Sequence, residues 1–404
     1  MFPFKIHQNK SRRLEDELIL ISASSTLIKE NSTAIISICE KKLDWSYILS
    51  AASNHGVLPI LYHSLNKTAA RQVPADVMSQ LKEKFRQNFL RNNLLAQELI
   101  AIIAEFSRHK IRAIPLKGPV LASAAYGGLG LRQFHDLDIL VAEDDVLSCK
   151  KILDAHGYQL PPNQIDKSFD EIRKKNWHYN FSRKKDHLPV ELHWRITPPS
   201  FHFPFDFEVL WQHRNFCTLL NTQMVNLAND MLLFILCVHG AKHAWVHLKW
   251  ICDVAALLRH FAQKDWEKVV VLSANSRLNR PVLSGLFLAE RLLEVKLPEK
   301  IQAMIQHNKQ VKNLAEIAEK LIFETITSEF NKHRQTLTFR LYQLRIRAKL
   351  SDQLKELLSS LFYFVSPNEN DRLLNLPKKL DLLYFFVRPF RLIFDLARGL
   401  SKKS

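Results

Sequence analysis

Residues 111–141, IRAIPLKGPVLASAAYGGLGLRQFHDLDILV, restrict the fold more than any other part of this 404-residue chain. From residue 11 to about residue 109 the apolar residues recur at helical spacing, whereas IRAIPL and LDILVA are apolar runs typical of buried strands. Between these runs, Pro119 favours the start of a short helix that is expected to reach Tyr126. Another helix is predicted for DDVLSCKKILDAHGY. Strand, helix, strand and helix in succession predict an α+β domain within a mostly helical chain.

A β-hairpin is predicted after this unit. The runs HYNFSR and LPVELHWRI alternate in polarity, and the polar segment KKDH joins them. Because the side chains of a strand point alternately to its two faces, Glu191 and His193 lie on one face of the second arm. Val190, Leu192 and Trp194 lie on the other face. The hairpin therefore places a carboxylate on a further strand.

Asp136 and Asp138 stand at positions i and i+2 of an extended segment, so their carboxylates point the same way. Two carboxylates this close repel each other, and a cation between them removes the repulsion. With Glu191 from an adjacent strand they provide oxygen ligands for Mg²⁺ or Mn²⁺, which usually also bind substrate phosphates. Two such ions can hold the attacking and leaving oxygens of an in-line displacement. A solvated strand edge and a helix cap are the structural alternatives for the two aspartates.

A cationic phosphate site is predicted at the turn after the first strand. Gly118 allows a phosphate to approach the backbone, and the N-terminus of the following helix favours negative charge. Lys117 and Arg132 are expected to neutralise a triphosphate. The alternatives are a lysine stem that packs on apolar surface with its ammonium group in water, and an arginine that is a simple surface charge.

These motifs occur in an order that resembles a known family. The order is LKG, R-x-x-x-D-x-D-x-x-V, V-E-L-H-W, H-G-x-K-H and L-K-W-x-x-D-V, preceded by DWSYILSAASNHGVLPILYHSL. Together they resemble an uncharacterised bacterial nucleotidyltransferase family of the DNA polymerase β-like superfamily over residues 44–260. Pro119 departs from that superfamily, which usually has serine or glycine after the turn glycine, because proline offers neither a hydroxyl nor an N–H.

The resemblance implies a polymerase β-like nucleotidyltransferase domain with a mixed sheet, flanked by N- and C-terminal helical regions. It also implies a metal-dependent transferase that moves a nucleoside monophosphate from an NTP to a hydroxyl of an acceptor. Asp136, Asp138 and Glu191 would bind the metal. Glu191 would accept the hydroxyl proton, with Asp138 as the second candidate. The expected regions are an N-terminal helical region (1–109), the catalytic domain (110–200), a helical domain that completes the active-site cleft (201–300) and a basic helical region (301–404).

The segment HGAKHAWVH contains another cluster of candidate residues. His239, His243 and His247 would share one side of a straight helix, although the pattern is consistent with one long helix or two broken ones. Lys242 and His243 are predicted to contact the nucleotide. A zinc hydrolase is an alternative, but Gly240 occupies the place of the glutamate in the H-E-x-x-H motif. Partly buried structural histidines are the other alternative.

Three further residues are weaker candidates. His178 and His193 belong to the hairpin, and they are expected either to lie near the site or to pack on a partly solvated face of the sheet. Asp253, in the segment after the histidines, is expected to orient a histidine or to cap a helix.

The chain carries a net charge of +17, which favours polyanionic partners. Residues 301–404 hold 18 Lys and Arg against 10 Asp and Glu, a net charge of +8. Within them, residues 378–404 form a basic segment that is expected to lie on an anionic membrane surface, to bind nucleic acid, or to pack its apolar side on the protein. A non-catalytic basic adaptor with a degenerate nucleotidyltransferase fold is therefore the alternative to an enzyme.

The localisation prediction depends on cysteines and apolar runs. The five cysteines are scattered without a CxxC spacing, which is typical of reduced thiols in a cytoplasmic protein. The chain also lacks the run of about 18 apolar residues that a spanning helix needs, and its N-terminus is too polar for a signal peptide. A cytoplasmic protein is predicted, with a peripheral membrane contact left open.

Overall fold

A computed structural model describes residues 12–27, 31–165, 167–324, 337–347, 349–354 and 357–358. The chain divides into two compact units, Met1–Ile346 and Arg347–Ser404. The first unit contains both β-sheets of the described chain. None of the described helices is long and apolar enough to cross a membrane. The basic segment 378–404 lies outside the described residues, and so do its predicted membrane and nucleic-acid contacts.

The N-terminal part of the first unit is helical, as predicted. Its helices are α1 (Leu14–Leu27), α2 (Ser32–Cys39), α3 (Trp45–Asn54), α4 (Leu58–Thr68) and α5 (Ala75–Arg108). Asp44 caps α3, because its carboxylate accepts a hydrogen bond from the backbone N–H of Tyr47 at 2.9 Å. Helix α5 begins after Pro74, and its apolar stripe, which includes Leu95 and Phe106, is buried.

A five-stranded mixed sheet follows α5. Its strands are β1 (Ala113–Pro115), β2 (Leu137–Val141), β3 (Tyr158–Gln159), β4 (His178–Arg183) and β5 (Pro189–His193). The order is β1-β2-β5-β4-β3, in which β2 and β5 are parallel and the other neighbours are antiparallel. The α+β class, the mixed sheet and the β4–β5 hairpin are thereby confirmed. The sequence pattern does not predict β3, because two residues are too short to show a periodicity.

The register of β2 and β5 places the polar residues of both strands on one face. Asp138 pairs with Glu191, and Leu140 pairs with His193. Residues directly opposite each other on neighbouring strands point to the same side of the sheet. On the other side, Ile139 and its neighbours on both strands are fully buried in a core cluster. The predicted division of the β5 arm into a polar and an apolar face is confirmed.

Four helices separate the strands of this sheet along the chain. They are α6 (Gly118–Tyr126), α7 (Val146–Ala155), α8 (Pro162–Ile165) and α9 (Phe169–Arg173). Helix α6 contacts β2, and α7 contacts β3. The end of α6 at Tyr126 agrees with the prediction, and Gly127 closes the helix in the left-handed conformation (φ 74°). The predicted succession of strand, helix, strand and helix is confirmed.

A second hairpin is missing from the sequence-based prediction. It is formed by β6 (Arg214–Leu219) and β7 (Thr222–Leu227) and contacts α6 and β1. Its turn residues Leu220 and Asn221 both have positive φ, at 46° and 64°, and no glycine marks the turn. Most of β6 is exposed, so the run also lacks a clear apolar alternation.

The remaining helices of the first unit are α10 (Phe207–Gln212), α11 (Asn229–Lys242), α12 (Leu248–Leu258), α13 (Gln263–Asn275), α14 (Asn279–Leu293), α15 (Glu299–Gln306), α16 (Lys309–Glu324) and α17 (Leu337–Arg345). The histidine segment therefore forms two broken helices. Trp245, between α11 and α12, has positive φ (56°) and is fully buried. A Cβ added at Gly240 or Gly285 would lie within 3 Å of its indole, so the break depends on two glycines that admit this ring.

Candidate active site

A cleft of about 440 Å³ lies between the polar face of the five-stranded sheet and helices α11 and α12. Of the eight residues predicted for the site, the cleft is lined by seven: Lys117, Arg132, Asp136, Asp138, Glu191, Lys242 and His243. Gly118 is not among the lining residues. We call one side of the cleft the sheet wall, formed by Lys117, Asp138, Glu191 and His193. The opposite side is the helix wall, formed by His239, His243, His247, Lys249 and Trp250.

The sheet wall is a network of paired charges. The Asp138 side chain is only 3% exposed, and its Oδ1 lies 3.2 Å from Lys117 Nζ and 3.2 Å from His193 Nε2. The same Nε2 lies 3.2 Å from Glu191 Oε2. The structure thus brings the predicted carboxylates of β2 and β5 together, and it also shows protein cations bound to both of them.

The pKa shifts of the sheet wall follow from these contacts. Burial alone would raise the pKa of Asp138, but Lys117 and His193 together hold it well below its usual value. Burial also opposes ionisation of Glu191, and its hydrogen bond with His193 more than offsets this, so the pKa of Glu191 is lowered. The pKa of His193 is raised, because hydrogen bonds to the two carboxylates outweigh burial. The network therefore favours two carboxylates, an ammonium and an imidazolium.

Asp136 differs from the other two carboxylates. It stands immediately before β2 and lines the cleft, but it has no ion-pair partner within 4 Å in the described part of the chain. Burial, and then the charge of Asp138, raise the pKa of Asp136. Asp136 thus has no direct ion pair within the described residues, although Lys117 and Lys249 lie near enough to offset part of the rise in its pKa.

Lys117 and Gly118 form the turn between β1 and α6. Besides its contact with Asp138, Lys117 Nζ lies 3.4 Å from His239 Nδ1, so the ammonium joins the two walls of the cleft. Gly118 has φ +54°, and a Cβ there would lie 3.5 Å from the backbone oxygen of Asp136. Glycine is therefore favoured at this position by backbone conformation. The predicted phosphate contact of Gly118 stays a prediction.

Arg132 is buried (7% exposed) and tied to Asp253, so the alternative of a surface charge is wrong. Its Nε and Nη2 donate to the two Asp253 oxygens at 2.7 and 2.9 Å, and the Tyr126 hydroxyl donates to Asp253 Oδ1 at 2.7 Å. Arg132 Nη1 is buried and finds no acceptor among the described residues. Asp253 therefore holds an arginine instead of a histidine or a helix end, and it leaves one guanidinium nitrogen with an unmet hydrogen bond.

The histidines of the helix wall pack around one tryptophan. The ring centroids of His239, His243 and His247 lie 5.5, 5.1 and 4.9 Å from that of Trp250. Burial, and then Lys117, lower the pKa of His239 well below its ordinary value. His243 ends α11 and His247 precedes α12, so the three residues do not share one straight helix. Lys242 Nζ lies 4.8 Å from the ring centroid of Trp177 across the cleft.

Lys249 is a cleft residue that the sequence-based prediction did not assign. It stands in the first turn of α12, and no hydrogen bond or ion pair of its ammonium group joins it to another described residue. Burial, and then nearby Arg132, lower the pKa of Lys249. A signal was present in the L-K-W-x-x-D-V motif, but helical periodicity alone does not separate a cleft lysine from a surface lysine.

The N-terminal helices support Lys249. Its backbone N–H donates to the His55 carbonyl at 3.1 Å, and the N–H of Leu248 donates to His55 Nδ1 at 3.4 Å. A Cβ at Gly56, whose φ is +68°, would lie only 2.7 Å from Lys249 Cδ. The segment that contains His55 and Gly56 thus packs directly against the helix wall.

A comparison with protein families matches residues 41–294 to an uncharacterised nucleotidyltransferase family. The chain belongs to this family. The matched range contains every residue that lines the cleft, from Leu116 to Trp250. Membership makes the chain a nucleotidyltransferase, which confirms the predicted enzyme class and argues against the adaptor alternative. Neither a search of curated proteins nor a search of solved structures found a match to the chain.

Proposed function

We propose that this nucleotidyltransferase moves a nucleoside monophosphate from an NTP to a hydroxyl of an acceptor in this cleft, and that pyrophosphate leaves. One observation carries the proposal: carboxylates from β2 and β5 line the same cleft of about 440 Å³ as Arg132 and Lys249, and no ion pair joins the Lys249 ammonium to another described residue. A catalytic domain of the polymerase β-like type is consistent with the mixed sheet and with the β2–β5 register that places Asp138 beside Glu191.

The chemistry of the three carboxylates suits a divalent cation, Mg²⁺ or Mn²⁺, although Asp136, Asp138 and Glu191 do not all present ligand atoms within 4.8 Å of one another and would have to move closer to share one ion. Asp136 is the supporting residue, because it is a cleft carboxylate whose pKa is raised by burial and which lacks an ion-pair partner in the described chain. Asp136, Asp138 and Glu191 would hold the cation through oxygen ligands. When bound, such a cation neutralises phosphate charge and makes a hydroxyl more acidic.

Glu191 is the better candidate for the general base. Its side chain is 28% exposed to the cleft, whereas that of Asp138 is 3% exposed and held by both Lys117 and His193. A base must reach the hydroxyl whose proton it accepts. Glu191 is the more accessible of the two carboxylates to such a hydroxyl, and the 3.2 Å contact with His193 supports its orientation. Asp138 instead positions Lys117 and the metal.

Arg132 and Lys249 would bind the triphosphate. Arg132 is fixed by Asp253 and directs its remaining donor to an anion, and Lys249 adds a charge at the N-terminus of α12. Groups held in place before the reaction stabilise charge that develops on the departing pyrophosphate. Lys242 and His243, at the end of α11, would contact the nucleotide farther from the carboxylates. Lys117 would hold the Asp138 carboxylate and contribute charge beside Gly118.

The test is label transfer from each α-labelled NTP, with Mg²⁺ or Mn²⁺ and fractionated cell extract as the source of acceptor. We expect one NTP to label an acceptor with the wild-type chain and not with Glu191→Gln. Asp186→Asn is the matched control, because Asp186 is an exposed carboxylate paired with Arg183 outside the cleft. Transfer that persists in Glu191→Gln would overturn the role of Glu191, and the absence of transfer with every NTP would overturn the proposed reaction.

A further inference from the structure

We propose that His178, Glu191 and His193 form a binding site for a first-row transition-metal ion of the Zn²⁺ class, next to the carboxylate site and sharing Glu191 with it. One ligand atom from each of these residues lies within 4.8 Å of the other two. In the described part of the chain, no other group of three His, Cys, Asp or Glu residues meets this condition.

The distances suit a small ion. Ligands bound to Zn²⁺ at about 2.0–2.2 Å are about 3–4 Å from one another. His193 Nε2 lies 3.2 Å from Glu191 Oε2, and His178 Nε2 lies 3.9 Å from the same oxygen. The two imidazole rings have centroids 4.8 Å apart. Both Nε2 atoms therefore already lie at distances from the same carboxylate oxygen that suit ligands of one ion.

The strand register, not a loop, sets this arrangement. In the antiparallel β4–β5 pair, His178 stands directly opposite His193, and Glu191 precedes His193 by two residues. The three side chains therefore share one face of the sheet. The side chains of His178 and His193 are only 12% and 6% exposed, so their rings have little freedom to leave.

The ligand types select the class of metal. Mg²⁺ prefers oxygen ligands, whereas imidazole nitrogen suits Zn²⁺ and its first-row neighbours, and two histidines with one glutamate form a set found in zinc enzymes. His193 Nε2 lies 3.2 Å from both Asp138 Oδ1 and Glu191 Oε2, so an ion bound to this nitrogen would have carboxylate oxygens beside it.

The histidines of the helix wall do not offer the same opportunity. His239 and His243 pack on Trp250, and His247 belongs to the start of the next helix. These residues therefore serve as matched controls. We therefore propose the zinc site not at the histidines of the HGAKHAWVH segment but at the β4–β5 hairpin on the other side of the cleft.

The test measures metal binding to the full-length chain without nucleotide, so it does not depend on the proposed transfer reaction. Metal-free protein is titrated with Co²⁺, followed by its visible absorption, and with Zn²⁺ in competition with a chromogenic chelator. We expect about one ion per chain, and a loss of affinity of about 100-fold in His178→Gln and in His193→Gln. His247→Gln, the buried control from the helix wall, should bind as the wild type does. Circular dichroism verifies that each variant is folded.

X-ray absorption of the Zn²⁺-loaded wild-type chain provides a measurement that needs no variant, and two imidazole ligands are expected. Failure of the wild type to bind Co²⁺ and Zn²⁺, equal binding by folded His178→Gln and His193→Gln, or loss of binding in His247→Gln alone would overturn the proposal. Binding with the expected pattern, in a chain that transfers no label from any NTP, would retain this site and reject the proposed reaction. Label transfer by a chain that does not bind Co²⁺ or Zn²⁺ would retain the proposed reaction and reject this metal site.

Discussion

The sheet wall and the helix wall of the cleft differ in how their charges are compensated. On the sheet wall, the carboxylates of Asp138 and Glu191 are both in contact with a cation. On the helix wall, the rings of three histidines pack on Trp250, and the ammonium of Lys249 has no acidic partner among the described residues. We propose that the first arrangement holds metal ions and that the second leaves positive charge for an anion. Arg132 is intermediate in charge compensation. Asp253 neutralises its positive charge, but one guanidinium nitrogen, Nη1, still has no hydrogen-bond acceptor among the described residues.

The largest expected effect is on the sheet wall. Asp138→Asn keeps the shape of the side chain but removes the charge that holds Lys117 and His193, together with one proposed metal ligand. We expect the rate of label transfer to fall by on the order of 1000-fold. The measurement is single-turnover transfer at saturating NTP and Mg²⁺. A rate within a few fold of the wild type would show that the paired carboxylate takes no part in the reaction.

The next effect concerns the arginine between the walls. Asp253→Asn leaves the Arg132 guanidinium buried without a counter-charge, which should cost about 3–5 kcal/mol of unfolding free energy. Tyr126→Phe removes only one hydrogen bond to the same carboxylate and should cost about 1 kcal/mol. Urea denaturation of the two variants gives the comparison. Equal losses would mean that the Arg132–Asp253 pair is not the main stabilising contact of this cluster.

Lys249→Met sharpens the difference between the walls. The substitution keeps the apolar stem that packs against Gly56 and removes the unpaired ammonium. Because a half-buried charge without an ion pair does not stabilise the fold, the thermal stability should stay the same or rise, while the dissociation constant for NTP should increase about 10-fold. Equilibrium dialysis with labelled NTP measures the affinity. Lys264→Met, an exposed lysine on α13, is the control and should change neither property; a similar loss in both variants would contradict an anion site at Lys249.

A further effect is a dependence of stability on pH next to the helix wall. Burial lowers the pKa of His55 to about 3, and burial followed by Lys249 lowers that of His247 to about 4. Below their ordinary pKa of about 6.5, the unfolded chain binds protons at these residues and the folded chain does not, so stability falls as the pH decreases from 7 to 5. Each histidine should contribute about 1 kcal/mol per pH unit.

His55→Gln tests this pH dependence, because it removes one of the two histidines. Denaturant unfolding at pH 5, 6 and 7 should give a smaller slope of stability against pH for this variant than for the wild type. An unchanged slope would show that His55 is not kept neutral by the fold.

Local features that repeat along the chain could be predicted from the sequence. The unit of strand, helix, strand and helix could be predicted because the helical spacing of apolar residues, one every 3.6 residues, gives way to short apolar runs typical of strands. The shared face of Glu191 and His193 follows from the alternation of side chains along a strand. The convergence of Asp136 and Asp138 required no more than their spacing. Seven of the eight residues predicted for the site therefore line one cleft of the structure.

Pairings between distant segments could not be predicted from local patterns. The parallel register that places Asp138 beside Glu191 joins residues far apart in sequence, and no periodicity encodes it. The break between α11 and α12 depends on Trp245 fitting against Gly285, forty residues farther along the chain. The unpaired ammonium of Lys249 is likewise a property of its tertiary surroundings, since any helix start can carry a solvated lysine.

The most direct test of the central claim uses NTPs with sulfur in place of one non-bridging oxygen of the α-phosphate. Mg²⁺ binds sulfur poorly, and Mn²⁺ accepts it better. If the carboxylates hold the proposed ion at the α-phosphate, one α-thio diastereomer should react slowly with Mg²⁺, and Mn²⁺ should restore its rate of transfer. The account predicts this rescue for the wild-type chain and its loss in Asp136→Asn. Both diastereomers reacting equally fast with Mg²⁺ would contradict a metal ion acting at the α-phosphorus.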